Sequence, residues 1–204
     1  YIVETQRFAP IFYTNSQCGI INHFFAEIFF EVVSYMMLSN STHSDSNHRD
    51  GVYYLVDEAA MLDFGNSFAS FLQIGSIITL IGNLGAGKTT LVRGILHGLG
   101  YQGIVKSPTY NLVEIYKISR LYLYHFDFYR FNDCREWEEA GFREYFNSTS
   151  ICFVEWPEKI GNLLPNADLQ FSIEILETGR NIAIQTGTDT GKQCLEHWRN
   201  QKKT

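Results

Sequence analysis

The stretch that decides the fold is Ile77-Ile78-Thr79-Leu80-Ile81, followed by Gly82-Asn83-Leu84-Gly85-Ala86-Gly87-Lys88-Thr89-Thr90. Its first five residues are a short β-branched run of the kind buried on both faces in a parallel sheet. The next eight satisfy G-x-x-x-x-G-K-[ST]. Beyond them Leu91, Val92, Ile95, Leu96 and Leu99 recur at helical spacing, and Gly98 and Gly100 close the helix predicted over Thr89 to Leu99. Strand, glycine-rich turn and helix, in that order, is the context the motif requires. The glycines let successive backbone N–H groups converge on phosphate oxygens, and the helix N-terminus adds a partial positive charge. Lys88 would neutralise the outer phosphates, and the Thr89 hydroxyl could ligate Mg²⁺.

Working outward, Asp57 is an N-cap for a first amphipathic helix, with Met61, Phe64, Phe68, Phe71 and Leu72 on one face and Gly75 as its end. On the other side, Tyr110 to Ile118 and Leu121 to Asp127 are β-rich runs separated by Ser119-Arg120, which predicts a hairpin. Asp133 can cap a helix running to Phe146. Ile151 to Val154 is a second short buried strand, ending at Glu155. Leu169, Phe171, Ile173 and Ile175 then alternate with polar residues, and Thr178-Gly179 turns the chain into Ile182-Ala183-Ile184, a hairpin with one wet face. From Thr188 the chain is polar, with Trp198 its one large apolar anchor, and reads as a loosely held tail.

Composition limits the alternatives. The chain has 204 residues, 45% of them apolar and 19% charged, which is enough for a real core and excludes a disordered class. A formal charge of −6 argues against a broad basic surface that grips nucleic acid by counterion release. Four dispersed cysteines, Cys18, Cys134, Cys152 and Cys194, form no C-x-x-C pair and suggest neither a disulfide framework nor a zinc site, so a reducing cytoplasm is the natural setting. The apolar segment Cys18 to Leu38 is broken by Asn22, His23, Glu27 and Glu31, too polar for a membrane span and without the form of a signal peptide. Residues 1–50 read as an extension plus a polar linker from Ser39 to Asp50. Two readings stand for residues 1–36: a translation start near Met36 or Met37, or a genuine extension packed on the domain. The working domain is expected over 51–187 and the tail over 188–204.

A phosphate cradle needs carboxylates to hold a metal and orient water, usually at the carboxyl end of a neighbouring strand. Glu155 follows Ile151–Val154 in the Walker B form, and Asp127 ends its strand similarly. Each could instead cap a loop. In Ser107-Pro108-Thr109-Tyr110 the fixed proline would hold Thr109 extended, where its hydroxyl could sense a phosphate or a metal, or simply stabilise a turn. Trp156 reads on its own as a core tryptophan, and His125, although beside a candidate acid, as a packed or solvated histidine.

Taken together, GNLGAGKTTLVR (Gly82–Arg93), KSPTY (Lys106–Tyr110), YHFDFYR (Tyr124–Arg130), EEAGFREYF (Glu138–Phe146) and ICFVEWPE (Ile151–Glu158) resemble, in order and spacing, the TsaE family. This is the bacterial ATPase family of tRNA threonylcarbamoyladenosine biosynthesis. The resemblance spans about residues 52–187 and leaves 1–36 unmatched. It implies an α/β P-loop fold with a mixed, mainly parallel sheet flanked by helices and antiparallel hairpin strands. It also implies an ATPase acting with the TsaB and TsaD proteins, which would reach tRNA through that complex. The nucleotide would lie along Asn83, Leu84, Gly85, Ala86, Gly87, Lys88, Thr89 and Thr90, with Thr109 in a switch-like segment and Trp156 close by. Thr89, Asp127 and Glu155 would serve Mg²⁺, and Lys88, Asp127 and Glu155 hydrolysis. Asn83 stands where the family commonly has an acidic residue.

Two other functions compete. A small-molecule P-loop kinase would bring arginines on a lid, but after Glu155 only Arg180 and Arg199 remain. A nucleotide-dependent interaction module would bind without needing hydrolysis. A GTPase would need an N-K-x-D segment, which is absent.

Overall fold

The computed structural model describes residues 51–131 and 135–202. Seven strands form one sheet: β1 (Val52–Leu55), β2 (Ile77–Ile81), β3 (Val113–Ile118), β4 (Leu121–Asp127), β5 (Ser150–Glu155), β6 (Leu169–Ile175) and β7 (Arg180–Thr186). Their spatial order is β1-β7-β6-β2-β5-β4-β3. The pairings β6–β2, β2–β5 and β5–β4 are parallel, while β1–β7, β7–β6 and β4–β3 are antiparallel. Five strands therefore point one way, and β3 and β7 the other. The sheet is mixed and mainly parallel, as the sequence led one to expect.

The parallel centre is buried on both faces, which is why β2 and β5 are nearly unbroken apolar runs. Alternate residues go to opposite sides. Ile151 and Phe153 of β5 join a large core with helices α1 (Glu58–Ala69), α2 (Lys88–Gly98) and α4 (Asp189–Gln201). Cys152 and Val154 join Phe126, Phe128, Trp137, Phe142 and Ile160 in a second, aromatic core. Over β6 and β7 that second face carries half-buried polar residues, and Gln170 donates to Gln185 across the pair at 2.8 Å. This is the wet face that the alternation of the terminal hairpin predicted.

Helix α1 lies unusually close to α2 because glycines meet backbone. A Cβ at Gly65 would sit 2.6 Å from the Leu91 carbonyl oxygen, and one at Gly94 would sit 2.4 Å from that of Leu62. The contact presses α1 against the start of α2, where Met61 Cε lies 3.1 Å from where a Gly87 side chain would begin.

Several boundaries differ from the sequence reading. The Asp57 cap is present, its carboxylate accepting from Ala60 N at 2.8 Å, but α1 ends at Ala69. Phe71 and Leu72 close a following turn instead of continuing the helix. The first hairpin strand begins at Val113, not Tyr110, because Leu112 takes a left-handed conformation (φ 63°). The single helix expected up to Phe146 is a short α3 (Arg135–Glu139), a break at Gly141 (φ 67°) and a 3₁₀ turn over Phe142–Tyr145. Its expected cap, Asp133, lies outside the described residues, as do 1–50 with Met36, Met37 and the Cys18–Leu38 segment. Among the described residues no helix is long and apolar enough to cross a membrane. Cys152 and Cys194 are buried free thiols.

The largest difference is at the end of the chain. The stretch read as a loosely held tail is helix α4, capped by Thr188, whose hydroxyl oxygen accepts from Gly191 N at 3.2 Å. Cys194, Leu195 and Trp198 are buried on its inner side. The Trp198 ring packs against Tyr53, Phe64 and Phe68 at 4.9–5.3 Å, and its Nε1 donates to Ser67 Oγ at 3.1 Å. Trp198→Ala should therefore lower the unfolding free energy by about 3–5 kcal/mol, the usual cost of emptying an aromatic site in a core. Urea denaturation at unchanged m-value reads this directly, and a loss below about 1 kcal/mol would return α4 to the status of a tail.

Candidate functional site

The site lies at the carboxyl ends of β2, β5 and β4, the edge where ligands bind in open α/β sheets. Strand β2 runs into the glycine-rich loop and α2. On the neighbouring strands Asp127 and Glu155 are Cα register partners, and Glu155 also faces Leu80 of β2. The two acids are the last residues of adjacent parallel strands, so both leave the sheet at one point. Both are 3% exposed.

The loop is shaped by its backbone. Gly85 and Gly87 have φ of 77° and 107°, a region costly for any residue with a Cβ. Gly87 is the N-cap of α2 and has no side chain to cap it, which leaves the leading N–H groups of the helix without an intrahelical partner. Behind the loop, Arg180 of β7 donates from Nε to the Ala86 carbonyl at 3.2 Å.

Lys88 folds back into the loop it follows. Its Nζ donates to Gly82 O at 2.7 Å and Asn83 O at 3.1 Å, and lies 4.2 Å from the centre of the Trp156 ring. Burial pushes the ammonium below its ordinary range, while the carboxylates of Glu155, Asp127 and Glu158 act in the opposite direction. Trp156 reaches this position through a left-handed backbone (φ 59°), just after Glu155, and packs on Tyr129 at 5.0 Å.

The acids are held by different donors. Glu155 Oε1 accepts from Thr89 Oγ1 at 2.7 Å and lies 2.9 Å from His125 Nε2. Asp127 Oδ2 accepts from Thr109 Oγ1 at 2.7 Å and Ser107 Oγ at 3.0 Å, and its Oδ1 accepts from Tyr129 N at 3.0 Å. The two hydroxyls are 2.7 Å apart. The Ser107–Thr109 segment is thus tied to the tip of β4, and Tyr110, 82% exposed, stands beside it under the Arg130 guanidinium.

The chain has relatives among known proteins. A family model described as "Threonylcarbamoyl adenosine biosynthesis protein TsaE" matches residues 55–182. The chain belongs to the TsaE family. A Haemophilus influenzae protein named tRNA threonylcarbamoyladenosine biosynthesis protein TsaE is 47% identical over 152 residues, covering 72% of this chain and 96% of the relative. A Bacillus subtilis protein of the same name is 44% identical over 106 residues, 52% of this chain and 66% of that one. The solved structure reported as "Crystal structure of Bacillus subtilus YdiB" aligns with a TM-score of 0.62 at 28% identity, covering 79% of this chain and 99% of the other.

Of the residues that the resemblance to the TsaE family singled out, the structure brings Lys88, Thr89, Thr109, Asp127, Glu155 and Trp156 into one cluster. Leu84, by contrast, points outward at 69% exposure and can offer the site only its backbone. Three participants escaped the sequence reading. His125 was set aside as packed or solvated, although its place two residues before Asp127 puts it on the same face of β4. Ser107 shares Asp127 with Thr109, and the proline between them was the available signal. Arg180, weighed only as one of the two arginines after Glu155, supports the loop from across the sheet.

Asp127→Ala would leave the Ser107 and Thr109 hydroxyls without their common acceptor. A hydrogen bond to a charged group contributes about 1.5–3 kcal/mol, so amide exchange through residues 106–112 should accelerate about tenfold or more. Hydrogen-exchange mass spectrometry showing no change there would mean that the segment is held by something else.

Proposed function

We propose that this chain binds ATP with Mg²⁺ and hydrolyses it, and that the hydrolysis serves tRNA threonylcarbamoyladenosine biosynthesis. Participation in that modification follows from membership of the TsaE family and from relatives named for it. The observation that carries the ATPase reading is the in-register pair Asp127–Glu155 beside the glycine loop, with Thr89 Oγ1 bonded to Glu155.

The donor set suits the group. Mg²⁺ takes hard oxygen ligands and is usually held by one or two carboxylates together with substrate phosphates, not by a protein cage. Thr89, Asp127 and Glu155 offer one hydroxyl and two carboxylates at one sheet edge, and the described residues hold no cluster of three or more His, Cys, Asp and Glu side chains that could form such a cage. When bound, the ion would neutralise charge on the terminal phosphates. Lys88 would exchange its two loop carbonyls for phosphate oxygens, and the N-terminal amides of α2 would cradle the anion. Thr89 would hold the metal side. Asp127 and Glu155 would divide metal ligation and orientation of the attacking water between them. Trp156, already against Lys88, would report the exchange.

TsaB and TsaD are the partners this reading implies, with tRNA reached through them in the cytoplasm. A chain with a formal charge of −6 suits docking on proteins more than gripping RNA.

Lys88→Ala should abolish ATP binding measured by calorimetry. Glu155→Ala should leave binding largely intact and reduce turnover about 10²- to 10⁴-fold, the usual worth of a positioned acid or base. Unchanged turnover would refute the role of Glu155. With purified TsaB, TsaD and tRNA, ATP should sustain repeated rounds of modification. If a nonhydrolysable analogue sustained them equally well, the chain would be a binding module and not a working ATPase.

ATP·Mg²⁺ should also change the intrinsic fluorescence, and Trp156→Phe should remove most of that change. Trp137 and Trp198 are buried in the two cores. A signal that survived the substitution would place the response elsewhere.

A further inference from the structure

His125 is 0% exposed, carries a polar ring into the large core and was not among the residues expected to act. Its register partner on β5 is Phe153, and Glu155 stands two residues further along the same face of that strand. The glutamate side chain lies back across this diagonal, and its Oε1 meets His125 Nε2 at 2.9 Å.

We propose that His125 is a positioning residue for Glu155, donating one neutral Nε2–H bond that anchors the carboxylate to the sheet and leaves its second oxygen turned toward the loop. The functional consequence rests on the ATPase reading above.

Three observations support the assignment. First, Nδ1 of the same ring is buried and has no hydrogen-bond partner among the described residues. A doubly protonated ring would bury an unpaired N–H there, and a ring with its proton on Nδ1 would set a bare Nε2 against a carboxylate oxygen. The tautomer with its proton on Nε2 avoids both. Second, among the described residues Glu155 Oε1 takes two donors, Thr89 Oγ1 and His125 Nε2, whereas Oε2 takes none. Thr89 belongs to α2 and follows whatever the loop does. His125 sits on β4, one of the central strands. Two donors from different elements, converging on one oxygen, leave the carboxylate a single orientation. Third, Asp127 is served by a separate set, Ser107, Thr109 and Tyr129 N, so His125 acts on one acid of the pair alone. A group held in advance of the reaction loses less on reaching the productive geometry.

The test compares wild type, His125→Leu, His125→Gln and Glu155→Ala. Glutamine can place an amide N–H near the position of Nε2, whereas leucine fills the volume without a donor. His125→Leu should lower kcat about 10- to 100-fold, the usual worth of a partner that orients a functional ligand. The ATP Kd should stay within about threefold, and His125→Gln should recover most of the rate. Unchanged kcat in the leucine variant would overturn the assignment. So would a glutamine variant no better than leucine, or losses of rate that follow the urea midpoint in both.

Glu155→Ala separates this proposal from the reading beneath it. If the wild type does not turn over ATP, the ATPase reading fails; if that variant turns over ATP normally, the role given to Glu155 fails; if it is slow while His125→Leu is not, only the present proposal fails. An independent measurement needs no turnover and no variant. In ¹⁵N–¹H spectra of the nucleotide-free protein, the His125 proton should be on Nε2 with Nδ1 bare. The reverse tautomer overturns the proposal.

Discussion

Adjacent parallel strands stand about 4.8 Å apart, so the register of β4 on β5 brings the backbones of Asp127 and Glu155 to the sheet edge at nearly the closest spacing a sheet permits. Two buried acids side by side each need hydrogen-bond donors. Every other feature of the site answers this constraint. Asp127 receives two hydroxyls and a main-chain N–H, Glu155 receives a hydroxyl and an imidazole, and the Lys88 ammonium lies among them. No donor in this set bonds to both acids, so each carboxylate is positioned independently. That permits a division of labour between two groups of the same chemistry.

Rigidity is supplied from outside the loop. The glycine-mediated approach of α1 to α2 fixes the helix whose first residues carry Lys88 and Thr89, and Arg180 holds the loop backbone from β7. In the other direction, α4 packs Trp198 on Phe64 and Phe68 of α1. The C-terminal helix therefore contributes to the site although no residue of it comes near, because α1 is held between α4 and α2. Preorganised amides and charges lower a barrier only if the scaffold prevents their relaxation, and this scaffold is a chain of packed aromatic and glycine contacts.

The sequence made the central architecture legible because the signals there are local. The β-branched run, the glycine spacing and the helical periodicity of β2, loop and α2 lie within about twenty-five residues, and both acids sit at the ends of recognisable strands. What stayed hidden depends on tertiary context. Helix α4 has its apolar residues in one narrow stripe, Cys194, Leu195 and Trp198, on an otherwise polar segment, so its helical form is stabilised mainly by packing on α1. Gly141 divides a segment that reads as one helix. The hydrogen bond between His125 and Glu155 joins residues thirty positions apart, and no periodicity encodes it. Ser107 and Thr109 likewise acquire their roles only when the chain folds them over the tip of β4.

Several bonds at the site compete with those the proposed ligand would make. Lys88 is committed to two carbonyls and an aromatic face, and Asp127 to Ser107 and Thr109. Under the proposed function, phosphate reaching Lys88 would exchange some of these bonds, which would lower affinity by the cost of breaking them. The exchange has a mechanical consequence. Releasing Asp127 from its hydroxyls frees the segment that carries Tyr110, and moving Lys88 changes what supports Trp156. Tyr110 is exposed and Trp156 half-buried, so their arrangement would depend on what occupies the loop. Under the proposed function, a site bonded in this way would give up some affinity for its ligand and in return make its occupancy legible at the surface.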